Sequence, residues 1–142
     1  MSKIAVIYWS GTGNTEAMAT AVAEGITSAG GEAALFNVSE ISAADAAAYD
    51  KLALGCSAMG DEVLEESEFE PFFTELESSL SGKKVVLFGS YGWGDGQWMR
   101  DWADRTAGTG AILAAESLII NDAPDADGVE QCRALGAAIA NA

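Results

Sequence analysis

The sequence predicts an α/β sandwich built on a parallel sheet. Short runs of β-branched and aromatic residues alternate with longer amphipathic stretches along the 142 residues, which is the order of strands joined by crossover helices. Glycine-rich turns separate the two kinds of segment, and right-handed crossovers place helices on both faces of such a sheet. The chain has no internal repeat and no proline-rich linker, so we expect one domain spanning residues 1–142.

The first half of the chain is predicted to contain three strands and two helices. The first helix carries its apolar residues on one stripe and ends at Gly30 and Gly31, as glycine pairs end helices. Ser39 is a suitable N-cap for the second helix. The expected elements are strand Ile4–Trp9, helix Thr15–Ala29, strand Ala33–Val38, a short helix ending at Ala48, and the continuously apolar strand Leu52–Cys56.

The second half begins with a long polar and acidic loop and is predicted to contain two strands and three helices. Pro71 suits the first turn of its first helix, and the last strand is expected to bend near Ala115 and Glu116. The expected elements are loop Ser57–Glu68, helix Phe69–Leu80, strand Lys84–Gly89, loop Ser90–Gly96, helix Gln97–Thr106, strand Ile112–Ile120 and helix Asp125–Ala140.

Composition excludes several classes of function. Seven lysines and arginines against 22 aspartates and glutamates give a formal net charge of −15, which argues against binding nucleic acid or anionic lipid. The absence of histidine excludes Ser-His-Asp and Cys-His catalysts and histidine-ligated metals. The two cysteines, Cys56 and Cys132, cannot form an iron–sulfur or four-cysteine zinc site. We expect Cys56 to be an inert, buried strand end and Cys132 to lie on a helix.

The expected location is the cytoplasm, away from membranes. The N-terminus runs directly into a predicted strand without a cleavable signal pattern. No run of about 18 apolar residues follows.

The first candidate binding loop follows the first strand. Ligands of an open parallel sheet bind beyond the carboxyl ends of its strands. Two glycines let N–H groups converge here, hydroxyl and amide side chains add donors, and a helix follows, so the segment predicts a phosphate cradle without a cation. It matches neither the ATP-binding P-loop nor the dinucleotide fingerprint; a simple capped glycine turn is the alternative. The loop consists of Ser10, Gly11, Thr12, Gly13, Asn14 and Thr15.

Two further loops complete the predicted pocket. Trp93 lies between glycines and suits stacking on a flat ligand, unless it folds back on its own loop, whereas Trp98 and Trp102 are expected in the core. Met59 could lie against a ring face, although its segment taken alone is better explained as an ordinary turn. No general base is present, so a bound cofactor is expected to supply the chemistry. The loops are Ser57, Ala58, Met59, Gly60, Asp61, Glu62 and Ser90, Tyr91, Gly92, Trp93, Gly94, Asp95.

These three motifs resemble those of the short-chain flavodoxins of anaerobic bacteria. Segments 8–16, 56–62 and 89–96 carry the resemblance, which extends over essentially the whole chain. It implies a flavodoxin-like three-layer sandwich, a five-stranded parallel sheet in the order 2-1-3-4-5, and non-covalent FMN; flavodoxins themselves illustrate the rule that places ligands at the switch point. Residues 10–15 would hold the phosphate, residues 57–62 the inner and edge side of the isoalloxazine, and residues 90–95 its outer side.

The resemblance implies a low-potential one-electron carrier that passes between oxidised, neutral semiquinone and hydroquinone states and is not an enzyme. The Gly60–Asp61 peptide would rotate so that its carbonyl accepts a hydrogen bond from flavin N5–H, and Glu62 would reach N3. Expected partners are redox enzymes with basic docking patches, namely ferredoxin-type reductases and low-potential oxidoreductases. Acidic residues between Lys51 and Lys83 would steer the protein, expected to be a monomer, to those patches.

The motifs distinguish among other functions that share this architecture. An FMN-dependent quinone or flavin reductase is the remaining alternative. A phospho-accepting response regulator lacks its aspartates, because Trp9-Ser10 and Cys56-Ser57 stand at those positions. A low-molecular-weight phosphatase would need arginine where Glu62 stands.

Overall fold

A computed structural model describes residues 3–59 and 63–142 and confirms the α/β sandwich. All strand pairs are parallel, and the sheet order is β2-β1-β3-β4-β5, with β6 also paired to β4. The strands are β1 Lys3–Trp9, β2 Glu32–Asn37, β3 Lys51–Cys56, β4 Lys84–Tyr91, β5 Ile112–Leu113 and β6 Leu118–Asn121. The helices are α1 Asn14–Ser28, α2 Ala43–Ala46, α3 Phe69–Leu76, α4 Gln97–Gly108 and α5 Ala126–Ala140.

The fifth sheet position differs from the prediction because two short strands occupy it. Leu113 pairs with Val85 of β4, and Leu118 pairs with Phe88. The outer chain therefore uses two more residues than β4 between these pairs, and residues 114–117 separate the two short strands. The predicted bend near Ala115 is correctly placed, but one continuous strand over Ile112–Ile120 is wrong.

The second helical segment also departs from the prediction. Asn37, not Ser39, caps a 3₁₀ turn at Val38–Glu40, because its side chain accepts from the Ser39 N–H at 3.1 Å. Ser42 then caps α2 by accepting from the Asp45 N–H at 3.1 Å. Two closely spaced capping residues thus divide the expected helix into two pieces.

Smaller boundary differences occur later in the chain. Helix α3 ends at Leu76 and continues as a 3₁₀ turn over Glu77–Ser79, so the predicted helix to Leu80 is too long. Strand β4 continues to Tyr91, so Ser90 and Tyr91 are its last residues rather than loop residues. Asp125 caps α5 by accepting from the Gly128 N–H at 2.8 Å.

The sheet is covered on both faces, and this explains why its inner strands are continuously apolar. Successive residues of a strand point to opposite faces. Ile4 and Val6 therefore pack with α1 and α5, whereas Ala5 and Ile7 pack with α2, α3 and α4. Within the described residues, no helix is long and apolar enough to span a bilayer.

Candidate functional site

A cavity of about 460 Å³ opens where the parallel strands end, a size typical of small-molecule sites. All three predicted loops contribute to it, as the switch-point rule requires. A larger cleft of about 760 Å³ lies beside Lys3 and Lys51, which begin β1 and β3. Ligand loops of parallel sheets lie at the opposite strand ends, so we assign the smaller cavity. Its lining is Trp9, Gly11, Thr12, Asn14, Ser57, Ala58, Met59, Ser90, Tyr91, Gly92, Trp93 and Asp122.

The first loop turns sharply between β1 and α1. Gly13 has a φ of 94°, in the left-handed region that side chains disfavour, and its N–H donates to Ser10 Oγ at 3.0 Å. This turn brings Gly11, Thr12 and Asn14 to the cavity wall at the N-terminus of α1. Ser10 and Gly13 thus shape the loop, while the other three face the cavity.

Glu16, the acidic residue in the first turn of α1, is held by a tyrosine. Its Oε2 accepts a hydrogen bond from the Tyr8 hydroxyl at 2.8 Å. Burial, assisted by Glu16, raises the pKa of Tyr8 to about 12. The Tyr8 hydroxyl therefore stays protonated at every physiological pH and keeps donating its hydrogen bond to the Glu16 carboxylate.

Thr15 lies beneath the cavity and connects the loops. Its fully buried hydroxyl lies 2.7 Å from Ser57 Oγ and accepts from the Ser90 N–H at 3.2 Å. Ser90 Oγ in turn donates to the Asp122 carbonyl at 2.7 Å. One hydrogen-bonded chain therefore joins the end of β4 to the segments that follow β1, β3 and β6.

The described part of the second loop is bound to β4 and to itself. The N–H of Ala58 donates to the Ser90 carbonyl at 3.1 Å, and Met59 and Val63 exchange two hydrogen bonds of 2.9 and 2.8 Å. Ser57, Ala58 and Met59 line the cavity. The remaining predicted members of this loop, Gly60, Asp61 and Glu62, lie outside the described residues.

The third loop carries the exposed tryptophan. Trp93 lines the cavity with 58 % of its surface exposed. Positive φ values of 83° at Gly94 and 94° at Gly96 turn the chain toward α4. Asp95 forms an exposed ion pair with Arg100 at 3.0 Å. Gly94 and Asp95 thus belong to the loop without lining the cavity.

The deeper tryptophans are core residues, as predicted. Trp98 and Trp102 are 1 % and 2 % exposed. The Trp98 indole N–H donates to the Cys56 carbonyl at 3.2 Å, which ties α4 to the end of β3. Trp102 makes edge contacts with the rings of Phe69 and Phe73.

Comparison with known proteins identifies the family. The family model described as Flavodoxin matches residues 6–136. The chain is 52 % identical over 136 residues to a flavodoxin of Clostridium beijerinckii, covering 96 % of this chain and 98 % of that protein. It is 47 % identical over 139 residues to a flavodoxin of Megasphaera elsdenii, covering 98 % and 99 %. The chain belongs to the flavodoxin family.

A solved structure supports the same assignment. The solution structure of two-electron reduced Megasphaera elsdenii flavodoxin aligns with a TM-score of 0.88 at 46 % identity, covering 98 % of this chain and 99 % of that one. Flavodoxins are FMN-carrying electron-transfer proteins, so this member is an electron carrier and not an enzyme. Its near-full-length match to these relatives also confirms the resemblance to short-chain flavodoxins.

The cavity of this flavodoxin fits FMN. Hydroxyl and amide side chains at the N-terminus of α1 suit a phosphate, while Met59 and Trp93 supply apolar and aromatic surface for a flat ring. Among the described residues, no lysine or arginine lines the cavity, so a phosphate there would be held by hydrogen bonds and the helix dipole.

Two lining residues were missed by the sequence analysis. Trp9 ends β1, and its ring approaches within 3.0 Å of the position that a Cβ on Gly11 would occupy. Asp122 follows β6 with a φ of 57°, and its N–H donates to the Tyr91 carbonyl at 2.8 Å. The available signal was topological: in a parallel sheet the outermost strand ends at the same edge as the others, so residues 121–123 were also candidates for the cavity wall.

Both cysteines are buried and protonated, as expected for an inert Cys56 at the end of β3. Burial raises the pKa of the Cys56 thiol far above its ordinary value, and burial raises that of Cys132 to about 11. Cys132 lies on α5, also as predicted. Neither cysteine is therefore a thiolate at neutral pH.

Proposed function

We propose that FMN occupies the cavity with its phosphate on residues 10–15 and its isoalloxazine between Met59 and Trp93. The observation that carries this proposal is the composition of the lining, which combines donor side chains at the start of α1 with Met59 and Trp93 from the second and third loops. Bound FMN supplies the electron-transfer chemistry. The chain binds the group, orients it and limits the access of water.

Thr15 can donate a hydrogen bond to the phosphate in only one arrangement of its hydroxyl proton. Its oxygen already accepts from Ser90 N–H, and it has a single proton to donate. If Ser57 donates to Thr15 across their 2.7 Å contact, that proton is directed to the phosphate. Thr12, whose residue is exposed at the cavity wall, is the simpler ligand.

The resemblance assigns the ring edge to Gly60, Asp61 and Glu62, and we propose the same roles for them. The Gly60 carbonyl would accept from flavin N5–H and Glu62 would bond N3. The sequence order supports this proposal, because residues 60–62 directly follow Met59, which lines the cavity.

Titration of the apoprotein with FMN and with riboflavin tests the site. Riboflavin lacks the phosphate and should bind far more weakly. Thr12→Ala should weaken FMN binding by about 1–3 kcal/mol and leave riboflavin binding unchanged. Trp93→Ala should weaken both flavins by about 1–3 kcal/mol. Equal affinities for FMN and riboflavin would show that residues 10–15 do not hold the phosphate.

We also propose that this flavodoxin acts as a cytoplasmic monomer that docks on redox enzymes through their basic patches. The net charge of −15 supports this choice of partner, and two free, buried thiols suit a reducing compartment. Electron transfer to a basic haem protein should slow steeply as ionic strength rises. A rate independent of salt would exclude this docking mode, and sedimentation would test the monomer.

The reductase alternative predicts a different result from the purified protein. A reductase oxidises NAD(P)H directly, whereas a carrier depends on a partner enzyme. We expect stopped-flow mixing of the FMN-loaded protein with NADPH to give almost no flavin reduction. Rapid reduction would instead favour the reductase.

A further inference from the structure

Among residues 3–59 and 63–142, Glu65 is the only buried charged residue, with 7 % of its surface exposed. It lies in the most acidic part of the chain, where its neighbours Glu66 and Glu68 are exposed. Ionised carboxylates are rarely buried without a dense set of partners, because burial removes their hydration. The position therefore requires a structural explanation.

The Glu65 carboxylate caps helix α3. It accepts hydrogen bonds from the N–H groups of Ser67 at 2.8 Å, Glu68 at 2.7 Å and Phe69 at 3.0 Å, and a further one from the Ser67 hydroxyl. Burial opposes its ionisation, but these hydrogen bonds outweigh that effect and hold the pKa of Glu65 below its ordinary value. Both carboxylate oxygens are thus used by the start of α3.

The main chain of Glu65 reaches back to the opposite side of the loop. Its N–H donates to Cys56 Sγ at 3.4 Å, and its carbonyl accepts from the Glu70 N–H at 2.8 Å. Cys56 ends β3 and precedes the cavity residues of the second loop. Glu65 therefore connects the end of β3 with the beginning of α3.

Two contacts hold the two sides of this loop together. The Glu65 N–H binds Cys56 Sγ, and Met59 and Val63 exchange two hydrogen bonds. Of these four residues, Met59 lines the cavity. A shift of Glu65 therefore acts on Met59 through Val63, which lies two residues before Glu65.

We propose that Glu65 is a positioning residue for the flavin: by capping α3 and bonding Cys56 it fixes the Met59–Val63 pair, and thereby Met59. This proposal rests on the proposed function, in which Met59 lies against the isoalloxazine. Glu65 is absent from the cavity lining, so it acts through the Met59–Val63 pair and is not a ligand.

Glutamine cannot replace this glutamate. Its amide retains one acceptor oxygen and turns an NH₂ donor toward backbone N–H groups. At least one buried donor then loses its partner, and hydrogen bonds to charged groups are the costly ones to lose. Glu66→Gln is the matched control, since it removes the same charge one residue away at an exposed position.

The test compares the FMN-loaded Glu65→Gln and Glu66→Gln proteins. We expect Glu65→Gln to raise the FMN dissociation constant about tenfold or more, and Glu66→Gln to change it less than about twofold. Glu65→Gln should lower the first one-electron potential, because displacing Met59 would weaken the hydrogen bond that the proposed function assigns to N5–H and the carbonyl of Gly60, the next residue. Removing negative charge alone makes reduction easier, so Glu66→Gln should leave that potential unchanged or raise it.

Two outcomes would overturn the proposal. Equal changes in the two variants would show that Glu65 acts only through its charge. A Glu65→Gln protein with lowered unfolding free energy but parental FMN affinity and potential would show a structural role alone. If Glu65→Gln does not fold, Ser67→Ala removes one hydroxyl donor to the carboxylate, with Ser78→Ala as control; the same two readouts must move in the same directions.

A Trp93→Ala arm separates this inference from the proposed function. Unchanged flavin affinity in Trp93→Ala would show that the cavity assignment itself has failed. Weakened affinity in Trp93→Ala, together with Glu65→Gln behaving like Glu66→Gln, would overturn only the role of Glu65.

Discussion

The two helical layers cover the same sheet in opposite ways. In the α1/α5 layer, a Cβ on Gly25 would lie 2.0 Å from the Arg133 carbonyl oxygen, and one on Gly136 would lie 2.1 Å from the Val22 carbonyl oxygen. In the α3/α4 layer, Phe73 and Trp102 meet with ring centroids 5.8 Å apart. One layer is therefore held by backbone contact that only glycine permits, and the other by large rings.

This difference bears on the flavin site. Helices α3 and α4 follow the second and third loops along the chain, which carry Met59 and Trp93. The glycine contacts of α1 and α5 lie farther along those helices, well past the first loop. Substitutions that remove side-chain volume should therefore destabilise the α3/α4 layer. Substitutions that add volume at the contact glycines should destabilise the α1/α5 layer.

Phe73→Ala should have the largest effect on stability. The side chain is fully buried and contacts Phe69 and Trp102, so its loss leaves a cavity and should lower the free energy of unfolding by about 3–5 kcal/mol. Urea denaturation measures this loss. Ile112→Ala, which truncates an exposed side chain, should stay within about 0.5 kcal/mol of the parent; comparable losses would contradict the ring-based account of the α3/α4 layer.

Gly25→Ala should destabilise the opposite layer by adding a single carbon. Backbone atoms cannot move aside as a flexible side chain can, so overpacking should cost about 1–3 kcal/mol. Gly108→Ala is the matched control, because no atom lies within 4 Å of the new Cβ at the end of α4. There the same substitution should raise stability by about 0.5–1 kcal/mol. If both variants shifted stability in the same direction, the helix contact would not be the cause.

The sequence predicted most of the architecture because strand and loop signals are local. Apolar runs and glycine-rich turns placed the strands in order, and the spacing of Trp98 and Trp102 placed both in the core. The close α1/α5 crossing was not predicted, because it depends on which residue of α5 meets Gly25 across 108 positions of chain. The divided fifth strand was missed because its register is set by β4 and not by its own residues.

The site was predicted from the same loops, and its omissions have a physical cause. Asp122 was missed because a lone acidic residue after an edge strand carries no local signature. Glu65 was grouped with the other acidic residues between Lys51 and Lys83, because composition cannot distinguish a capping carboxylate from exposed ones. The roles of both residues can be recognised only from their hydrogen bonds in the folded structure.

Arg105→Lys should show how far charge contributes to the α3/α4 layer. Arg105 pairs with Glu70 at 2.7 Å and Glu77 at 2.8 Å and lies over the Phe73 ring at 4.9 Å. Lysine cannot bridge both carboxylates with a planar fork, so we expect a loss of about 1 kcal/mol, discounted because the groups are about one-third exposed. Urea denaturation at low and high salt measures it.

The control for this variant is Arg133→Lys in the other layer. Arg133 pairs with Glu24 and Glu130 at exposed positions. Exposed pairs contribute little, so its stability should match that of the parent. An equal loss in both variants would remove the distinction between the two ion clusters.

The smallest effect concerns acid stability. Hydrogen bonds from Arg105 hold the pKa of Glu70 below its ordinary value, despite opposing burial, with further help from Thr74. A carboxyl whose folded pKa is lowered stabilises the protein above its unfolded pKa of about 4.3. That stabilisation is lost as pH falls through the folded pKa.

Glu70→Gln should therefore flatten the decline of unfolding free energy as the pH falls below about 4.5. Urea titrations at several pH values measure the slope, which reports the protons taken up on unfolding. The matched variant is Glu24→Gln, which removes a carboxylate from the exposed Arg133 pair of the other layer. Because Arg105 binds Glu70 with two hydrogen bonds, at 2.8 and 2.7 Å, on a partly buried surface, the change in slope should be larger in Glu70→Gln. Equal flattening in the two variants would mean that both layers respond to acid alike, and that the contrast between them is confined to packing.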